Sequence, residues 1–226
     1  MTTEIGAQLR DARRARGLSL RSVAQSLGVS ASLLSQVETG KVQPSVSTLY
    51  ALVNHLGVSV DQLLGVEVGT GDPAYAVPDG TPPVQRAGEG AVLEMENGVT
   101  WERLAAGAGS PVDPILVTYA PGASSSVEGR MMRHAGVEYA YVTEGRLTLQ
   151  LDFESLELGP GDSLHFDSAR PHLYTNHGTE IARGVWFVVG RRAQNQSLPT
   201  APGEPEGPPA NLTSAVDVLR AMDDLH

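Results

Sequence analysis

The hydrophobic periodicity of the sequence changes once, and this change limits the chain to two different kinds of domain. Up to about residue 65, apolar side chains recur every three or four positions between well-spaced glycines, a pattern typical of short helices. From residue 91 to 190, short alternating runs are divided by Gly, Pro and Asp, as in an antiparallel sandwich or barrel. We therefore expect an all-α bundle followed by an all-β domain.

Five short helices are predicted in the first region. The first runs from Ile5 towards Gly17, and Ser19 and Ser30 are placed to cap the second and third. The fourth covers residues 47–56, and the fifth covers residues 59–64. Helices this short cannot each bury an apolar face alone, so we expect them to pack into one small bundle.

Two Pro-rich segments define the remaining organisation. Prolines and glycines interrupt any regular pattern between the two regions, which indicates a linker or a loosely packed arm. A second Pro- and Glu-rich stretch follows the β-rich region, and four apolar residues near its end have the spacing of a terminal helix. The expected organisation is a helical domain at 1–66, a linker at 67–90, a β-rich domain at 91–190 and a tail at 191–226.

Composition excludes several function classes. The chain has no cysteine, so a disulfide framework, a thiolate zinc site and a cysteine nucleophile are excluded. It has no run of about 18 apolar residues, and its first residues lack a signal-peptide pattern, so we expect a cytoplasmic protein. The net charge of −10 is uneven: residues 1–66 contain six basic and four acidic side chains, against ten and twenty-two in the rest. A mildly basic first domain on an acidic body suits a DNA-binding module.

The stretch from Leu20 to Glu38 has the residues that a helix-turn-helix motif needs. Small Ala24 allows close packing of the second helix on the third, Gly28 permits the turn, and Val29 and Val37 fill the interior. The outward side chains of the third helix are short and polar or carry methyl groups, which suits contact with base edges in a major groove. The predicted base-contacting residues are Ser30, Ala31, Ser32, Ser35 and Gln36, with Gln36 the candidate for a bidentate contact to adenine. The predicted phosphate-contacting residues are Arg10, Arg13, Arg21, Lys41 and Ser45.

The alternative interpretation of this stretch is a protein-interaction bundle whose polar face is only solvated. A family resemblance favours DNA binding. Residues 5–64 resemble the Cro-repressor type of helix-turn-helix, the XRE family, in the phrases "SLRSVAQSLGVSASLLSQVETGKVQPS" and "LGVSVDQLL". The resemblance implies a five-helix, lambda-repressor-like bundle. It also implies a dimer on a partly palindromic site, since one short helix reads few bases.

The β-rich region contains polar residues at strand spacing. Residues an even number apart share one face of a strand, so Met132, His134 and Glu138 are expected to point inward together. The same parity applies to His172, Tyr174 and Asn176. Two imidazoles and one carboxylate that converge inside a barrel form a facial triad of the kind that binds iron(II), manganese or zinc. Met132, Tyr174 and Asn176 are then predicted to line the ligand pocket, and His165, Trp101 and Trp186 are interpreted as rim or core residues.

These segments resemble the two motifs of the cupin superfamily, a double-stranded β-helix, across most of residues 115–189. The sequence "HAGVEYAYVTEGRLTLQL…LELGPGDSLHFDSARPHLYTN" is similar to the sensor domains of regulators that join an XRE domain to a cupin. The family pattern has four ligands, of which three fall on His134, Glu138 and His172 and the first falls on Met132. Two interpretations follow: one divalent ion (Fe, Mn, Zn or Ni) on three ligands, or a metal-free polar pocket.

We expect a DNA-binding transcriptional regulator, more readily a repressor than an activator, whose β-domain senses a small-molecule effector in a homodimer or larger homo-oligomer. An enzyme is the first alternative, because one branch of the fused architecture resembles the iron-dependent epoxidase of hydroxypropylphosphonate. That branch brings a lysine from its helical domain into the active site, whereas the single lysine here, Lys41, follows the recognition helix. A metal-storage or interaction protein is the second alternative.

Overall fold

The computed structural model describes residues 5–58, 63, 83–106 and 112–189. Four helices lie in this part of the chain: α1 (Ile5–Ala15), α2 (Leu20–Leu27), α3 (Ala31–Glu38) and α4 (Val46–Leu56). Of the predicted fifth helix, only Leu63 is described, and it is helical and buried. Most of the predicted linker and the whole predicted tail lie outside the described residues. No described helix is long and apolar enough to cross a membrane.

The predicted helix caps are confirmed. The side-chain oxygens of Ser19 and Ser30 accept hydrogen bonds from the backbone N–H groups of Ser22 and Leu33, each three residues further on. Gly28 ends α2 in the left-handed conformation, with φ of 66°, which a residue with a side chain adopts at a cost. The sequence therefore fixes the short turn between α2 and α3 through its caps.

The α-helical bundle is held by an apolar core and by one close helix contact. Leu9, Val23, Leu34, Leu49 and Leu52 are fully or almost fully buried, one or more from each helix. At Gly6 in α1, an added Cβ would collide with the carbonyl oxygen of Val37, so α1 lies directly against the end of α3. This contact helps to fix the orientation of α3.

The β-rich region forms two antiparallel sheets, as the sequence predicted. One has six strands in the order β1-β2-β3-β9-β4-β7, and the other has three in the order β6-β5-β8. The strands are β1 (Val92–Glu94), β2 (Val99–Arg103), β3 (Val112–Tyr119), β4 (Val137–Glu144), β5 (Leu147–Leu151), β6 (Glu154–Leu158), β7 (Ser163–Asp167), β8 (His172–Thr175) and β9 (Ala182–Val189). Trp101 of β2, Phe166 of β7 and Leu149 of β5 are among the buried residues that the sheets contribute to the core.

The helical bundle contacts the β-domain through α4, the residues just before it and the turn between α2 and α3. The backbone N–H of Ser47 donates to the carbonyl of Ser125 at 3.0 Å, and the N–H of Glu96 donates to the carbonyl of Pro44 at 3.0 Å. The Arg130 guanidinium donates to the carbonyl of Gly28, in the turn before α3, at 3.2 Å. Both regions belong to one compact unit of the chain.

Candidate functional site

The first candidate site is the outer face of α3. Leu34 and Val37 are buried in the bundle, whereas Ser32 and Gln36 are exposed on the opposite side. The side-chain amide nitrogen of Gln36 lies 3.5 Å from the hydroxyl oxygen of Ser32. The remaining predicted base-contacting residues are exposed or half-buried: Ser30, Ala31 and Ser35. The face thus presents short hydrogen-bonding side chains to solvent.

A buried ion pair fixes the far end of this helix. Arg13 of α1 donates from Nε and Nη2 to the two carboxylate oxygens of Glu38, at 2.6 and 2.8 Å. Its Nη1 also donates to the carbonyl of Leu18 at 2.7 Å. Hydrogen bonding to Glu38 raises the pKa of Arg13 above its usual value, despite the opposing effect of burial. The pair therefore anchors the last residue of α3 to α1.

Two predicted phosphate contacts need correction. The Arg13 guanidinium is buried and donates hydrogen bonds to the Glu38 carboxylate and the Leu18 carbonyl, so it is not available to DNA. The Ser45 side chain is also buried, and its hydroxyl caps α4 by accepting from the Thr48 N–H. Neither burial was visible in the local sequence. The other predicted cationic residues remain accessible: Arg21 and Lys41 are exposed, and Arg10 is partly exposed.

The second candidate site is a His–Glu–His group inside the β-domain. His134 Nε2 lies 2.7 Å from Glu138 Oε1, and His172 Nε2 lies 3.4 Å from the same oxygen. The three side chains are buried, and one ligand atom from each lies within 4.8 Å of the others. The predicted convergence of these residues is thus confirmed. Ligand atoms this close can share one divalent ion.

The tautomer of His172 suits metal ligation. Its Nδ1 lies 2.8 Å from the carbonyl oxygen of Arg170, and because a carbonyl only accepts, Nδ1 must carry the proton. Nε2 then faces the Glu138 carboxylate at 3.4 Å, and within the described residues this nitrogen has no hydrogen-bond partner. Metal-bound histidines are commonly held by such a bond from the other ring nitrogen. The residues present therefore fit a divalent cation.

The environment of the buried Glu138 side chain favours its ionised form. Burial alone would raise its pKa, but hydrogen bonding to His134 and the nearby His172 ring outweigh this and hold the pKa far below its usual value. The Tyr174 hydroxyl donates to Glu138 Oε2 at 2.9 Å. Burial, followed by the nearby Glu138 charge, raises the pKa of Tyr174, so this phenol stays a donor. The contacts of the site thus favour the carboxylate form of Glu138.

A small cavity of about 20 Å³, lined by aromatic and aliphatic side chains, adjoins Glu138. Such a volume holds about one water molecule. Met132 and Tyr174 line it, as predicted. Trp101 and Trp186 also line it, although the sequence indicated them only as core residues. Its full lining comprises Val46, Tyr50, Trp101, Ile115, Val117, Tyr119, Met132, Glu138, Tyr174, Trp186 and Val188.

The predicted pocket role of Asn176 is wrong for this cavity. Its amide nitrogen donates to the carbonyls of Tyr119, Ala120 and Glu180, and its oxygen accepts from the N–H of Gly178. All hydrogen-bonding capacity of the side chain is therefore used to hold a turn. Even spacing from His172 placed Asn176 on the correct face, but β8 ends one residue before it.

Sequence reasoning missed Tyr50, which α4 contributes to the site. Its ring stacks on the His134 imidazole, with ring centroids 4.2 Å apart and an interplanar angle of 13°. One signal existed: Val46 and Tyr50 lie four residues apart, beside the stripe formed by Leu49, Leu52 and Leu56. A second apolar stripe on one helix indicates a second packing partner.

Comparisons with known proteins agree with both domains. The family described as "Helix-turn-helix domain" matches residues 4–64, and the family described as "Cupin domain" matches residues 115–188. The first match covers α1 to α4. The second begins in β3 and ends in β9, and it includes the complete His–Glu–His group.

Similar proteins share this architecture over most of their length. The HTH-type transcriptional regulator PuuR of Escherichia coli K12 is 28% identical over 179 residues, which is 79% of this chain and 90% of PuuR. The regulator SutR of the same organism is 27% identical over 78% of this chain and 89% of its own. A solved HTH_3 family transcriptional regulator from Vibrio cholerae has a TM-score of 0.56 and 25% identity, covering 83% of this chain and 95% of that one. The chain therefore contains a helix-turn-helix domain followed by a cupin domain.

Proposed function

We propose that the chain is a transcriptional regulator that reads a specific DNA sequence with α3 and senses a small molecule in its cupin domain. The observation that carries this proposal is the exposed polar face of a helix that is otherwise anchored on all sides. Leu34 and Val37 hold α3 in the core, Glu38 is tied to Arg13, and Ser32 and Gln36 still face solvent. A short rigid helix with small polar side chains can enter a major groove.

The side chains of α3 suit different contacts with DNA. Gln36 has a donor and an acceptor on one planar amide, which matches the N6 and N7 pattern of adenine. Ala31 carries a methyl group for contact with thymine, and Ser32 and Ser35 suit either base edges or backbone. The exposed Arg21 and Lys41 and the partly exposed Arg10 suit phosphates, which give affinity without sequence information. The Ser30 hydroxyl caps α3 and keeps its own O–H for a phosphate oxygen.

The cupin site supports a sensor role. His134, Glu138 and His172 would hold one divalent ion, and such an ion would offer open coordination positions to an oxygen or nitrogen atom of an effector. Tyr174 holds Glu138 through its hydroxyl, and the surrounding aromatic side chains exclude bulk water. We propose iron, manganese, zinc or nickel as candidate ions. A metabolite that prefers one arrangement of the two domains would then change DNA affinity.

We propose that the active form is a homodimer, because one short helix contacts too few base pairs for operator specificity. Two copies would bind a partly palindromic site with half-sites about one helical turn apart. Repression is the simpler outcome, since steric exclusion of other proteins from a promoter needs no additional contact surface.

The alternative function is an iron-dependent cupin enzyme of the hydroxypropylphosphonate epoxidase type, and the His–Glu–His group is the observation that favours it. The position of Lys41 argues against it. Lys41 is exposed and is not among the residues that line the cavity beside Glu138. The helical domain therefore brings Tyr50 to the site instead of a lysine.

Selection of bound DNA from a random-sequence library by the full chain tests the proposal. We expect one enriched, partly palindromic sequence, bound at least about 1,000-fold more tightly than scrambled DNA at physiological salt. A Ser32→Glu variant, which places a negative charge on α3, should lose binding, whereas Ser155→Glu on the exposed face of β6 should not. No enriched sequence, together with turnover of hydroxypropylphosphonate by the Fe(II)-loaded chain, would favour the enzyme.

A further inference from the structure

The barrel site is not built by the β-domain alone. Tyr50, on α4 of the DNA-binding bundle, stacks on His134 and also contacts Trp101, with ring centroids 5.6 Å apart. Only 3% of its surface is exposed, so its ring is fully inserted between the two domains. A residue of the DNA-binding domain therefore touches a member of the His–Glu–His group directly.

Helix α4 forms one wall of the cavity beside Glu138. Val46 and Tyr50 are the two lining residues from the bundle, and all the others belong to the β-domain. Most of those others lie on β2, β3, β4 and β9 of the six-stranded sheet, and the ladder hydrogen bonds between these strands hold them in place. Tyr174 lies on β8 of the other sheet. The α4 wall has no strand ladder to hold it; it is held by packing and by contacts such as the Ser47 to Ser125 hydrogen bond. The α4 side is thus the wall that can open at the lowest cost.

The cavity is too small for an effector in this arrangement. A volume of about 20 Å³ accommodates about one water molecule, whereas metabolites need a cavity of several hundred Å³. Any larger molecule that reaches the His–Glu–His group must therefore displace lining side chains, and Tyr50, which stacks on His134 from α4, is the candidate. Since Tyr50 is fixed on α4, that displacement acts on the helix itself.

Movement of α4 has a direct route to the DNA-reading face. Leu49, Leu52 and Val53 of the same helix are buried in the bundle core that also contains Leu34 of α3. Only residues 39–45 separate the end of α3 from the start of α4. A packed core responds to such a displacement by moving elements as units.

We propose that Tyr50 is an effector-contacting gate residue of the cupin site, and that α4 transmits the occupancy of this site to α3. This inference rests on the proposed sensor function, and it goes beyond it by naming the residue and the helix that join the two sites. An effector that displaces Tyr50 would shift α4 and alter how α3 is presented to DNA. We expect opening to weaken DNA binding, so that by linkage DNA binding disfavours opening of the gate.

Acrylamide quenching of tryptophan fluorescence in the full chain tests the gate without any effector or metal. The chain has two tryptophans, Trp101 and Trp186, and both line the cavity. Only 3% of the surface of Trp101 and 4% of that of Trp186 are exposed. We expect weak quenching in the wild type and at least a threefold larger quenching constant in Tyr50→Ala. Tyr50→Phe keeps the ring and should show a much smaller increase than Tyr50→Ala.

Tyr139→Ala is the matched control, because Tyr139 stacks on His165 on the exposed surface of the β-domain. Its quenching should equal that of the wild type. If Tyr50→Ala fails to fold by circular dichroism, Tyr50→Leu retains the apolar contact with less area and should show an intermediate increase. Quenching of a folded Tyr50→Ala or Tyr50→Leu variant at the wild-type level would overturn the gate.

The coupling is tested by repeating the quenching with a saturating amount of the selected operator fragment. We expect the wild-type quenching constant to fall at least twofold when the fragment binds, and the Tyr50→Ala constant to stay high. An unchanged wild-type constant at saturation would overturn the transmission through α4. If no DNA sequence is selected, the proposed function fails, whereas the comparison of the Tyr50 and Tyr139 variants still decides whether Tyr50 closes the cavity.

Discussion

The Arg13 guanidinium and the Glu38 carboxylate meet in a two-pronged ion pair, at 2.6 and 2.8 Å, between the first helix and the last residue of the recognition helix. Both side chains are almost completely buried. The pair therefore has a structural role: it sets the position of α3 relative to the rest of the bundle. Arg–carboxylate pairs with parallel hydrogen bonds are strongly orienting.

Glu38→Gln should destabilise the protein by about 3–5 kcal/mol, because it leaves the Arg13 charge buried without its partner. The free energy of unfolding is measured by urea denaturation followed by circular dichroism. Glu154→Gln removes an exposed carboxylate on β6 and should change stability by less than about 0.5 kcal/mol. Equal effects of the two substitutions would show that the ion pair does not anchor α3.

Gly6→Ala should destabilise the bundle by about 1–3 kcal/mol through overpacking, because a Cβ at Gly6 collides with the Val37 backbone. It should also weaken operator binding, since the end of α3 must move. Gly159→Ala is the control, because the nearest atoms to a Cβ there are side-chain atoms 3.7 and 3.8 Å away. Thermal denaturation of the two variants compares them, and a Gly6→Ala protein as stable as Gly159→Ala contradicts the close contact.

Local sequence signals predicted the helical elements because those signals act over a few residues. Ser19 and Ser30 cap the helices that follow them, and Gly28 makes the left-handed turn. Whether a polar side chain is buried depended on packing that these local signals do not describe. Arg13 and Ser45 look like surface residues in the sequence, but a carboxylate 25 positions away and a capping role bury them.

The cupin site was predictable in its polar members and in Tyr174, and not in the rest of its aromatic lining. Strand parity brought together His134, Glu138 and His172, since residues an even number apart share a face. Parity says nothing about which sheet or domain lies opposite. Trp101, Trp186 and Tyr50 therefore could be assigned to the cavity only once the packing of β2, β9 and α4 was known.

His172→Ala should lower the affinity for Co²⁺ by at least about 100-fold, since it removes one of three candidate ligands and leaves an incomplete set. Isothermal titration calorimetry of the full chain measures the affinity. His165→Ala, which removes an exposed imidazole on β7, should bind Co²⁺ like the wild type. Loss of binding in neither variant, or in both, would contradict a metal site at the His–Glu–His group.

Met132→His should raise Co²⁺ affinity at least about tenfold. Met132 is buried, lines the cavity, and pairs through its backbone with His172 at 2.9 and 3.0 Å. An imidazole at this position would supply a nitrogen ligand that suits divalent ions better than a thioether does. Met131→His, on the exposed neighbouring residue, is the control and should leave the affinity unchanged. Equal affinities for the Met132→His variant and the wild type would show that residue 132 does not reach the ion.

The most direct test of the central claim is the affinity of the full chain for its selected operator and for scrambled DNA, measured by fluorescence anisotropy with Gln36→Ala. A bidentate contact to adenine is worth about 1–3 kcal/mol, so operator affinity should fall about 5- to 150-fold while affinity for scrambled DNA stays the same. The control, Gln150→Ala on the exposed face of β5, should leave both affinities unchanged. Equal losses on both DNAs, or no loss on either, would contradict sequence reading by α3.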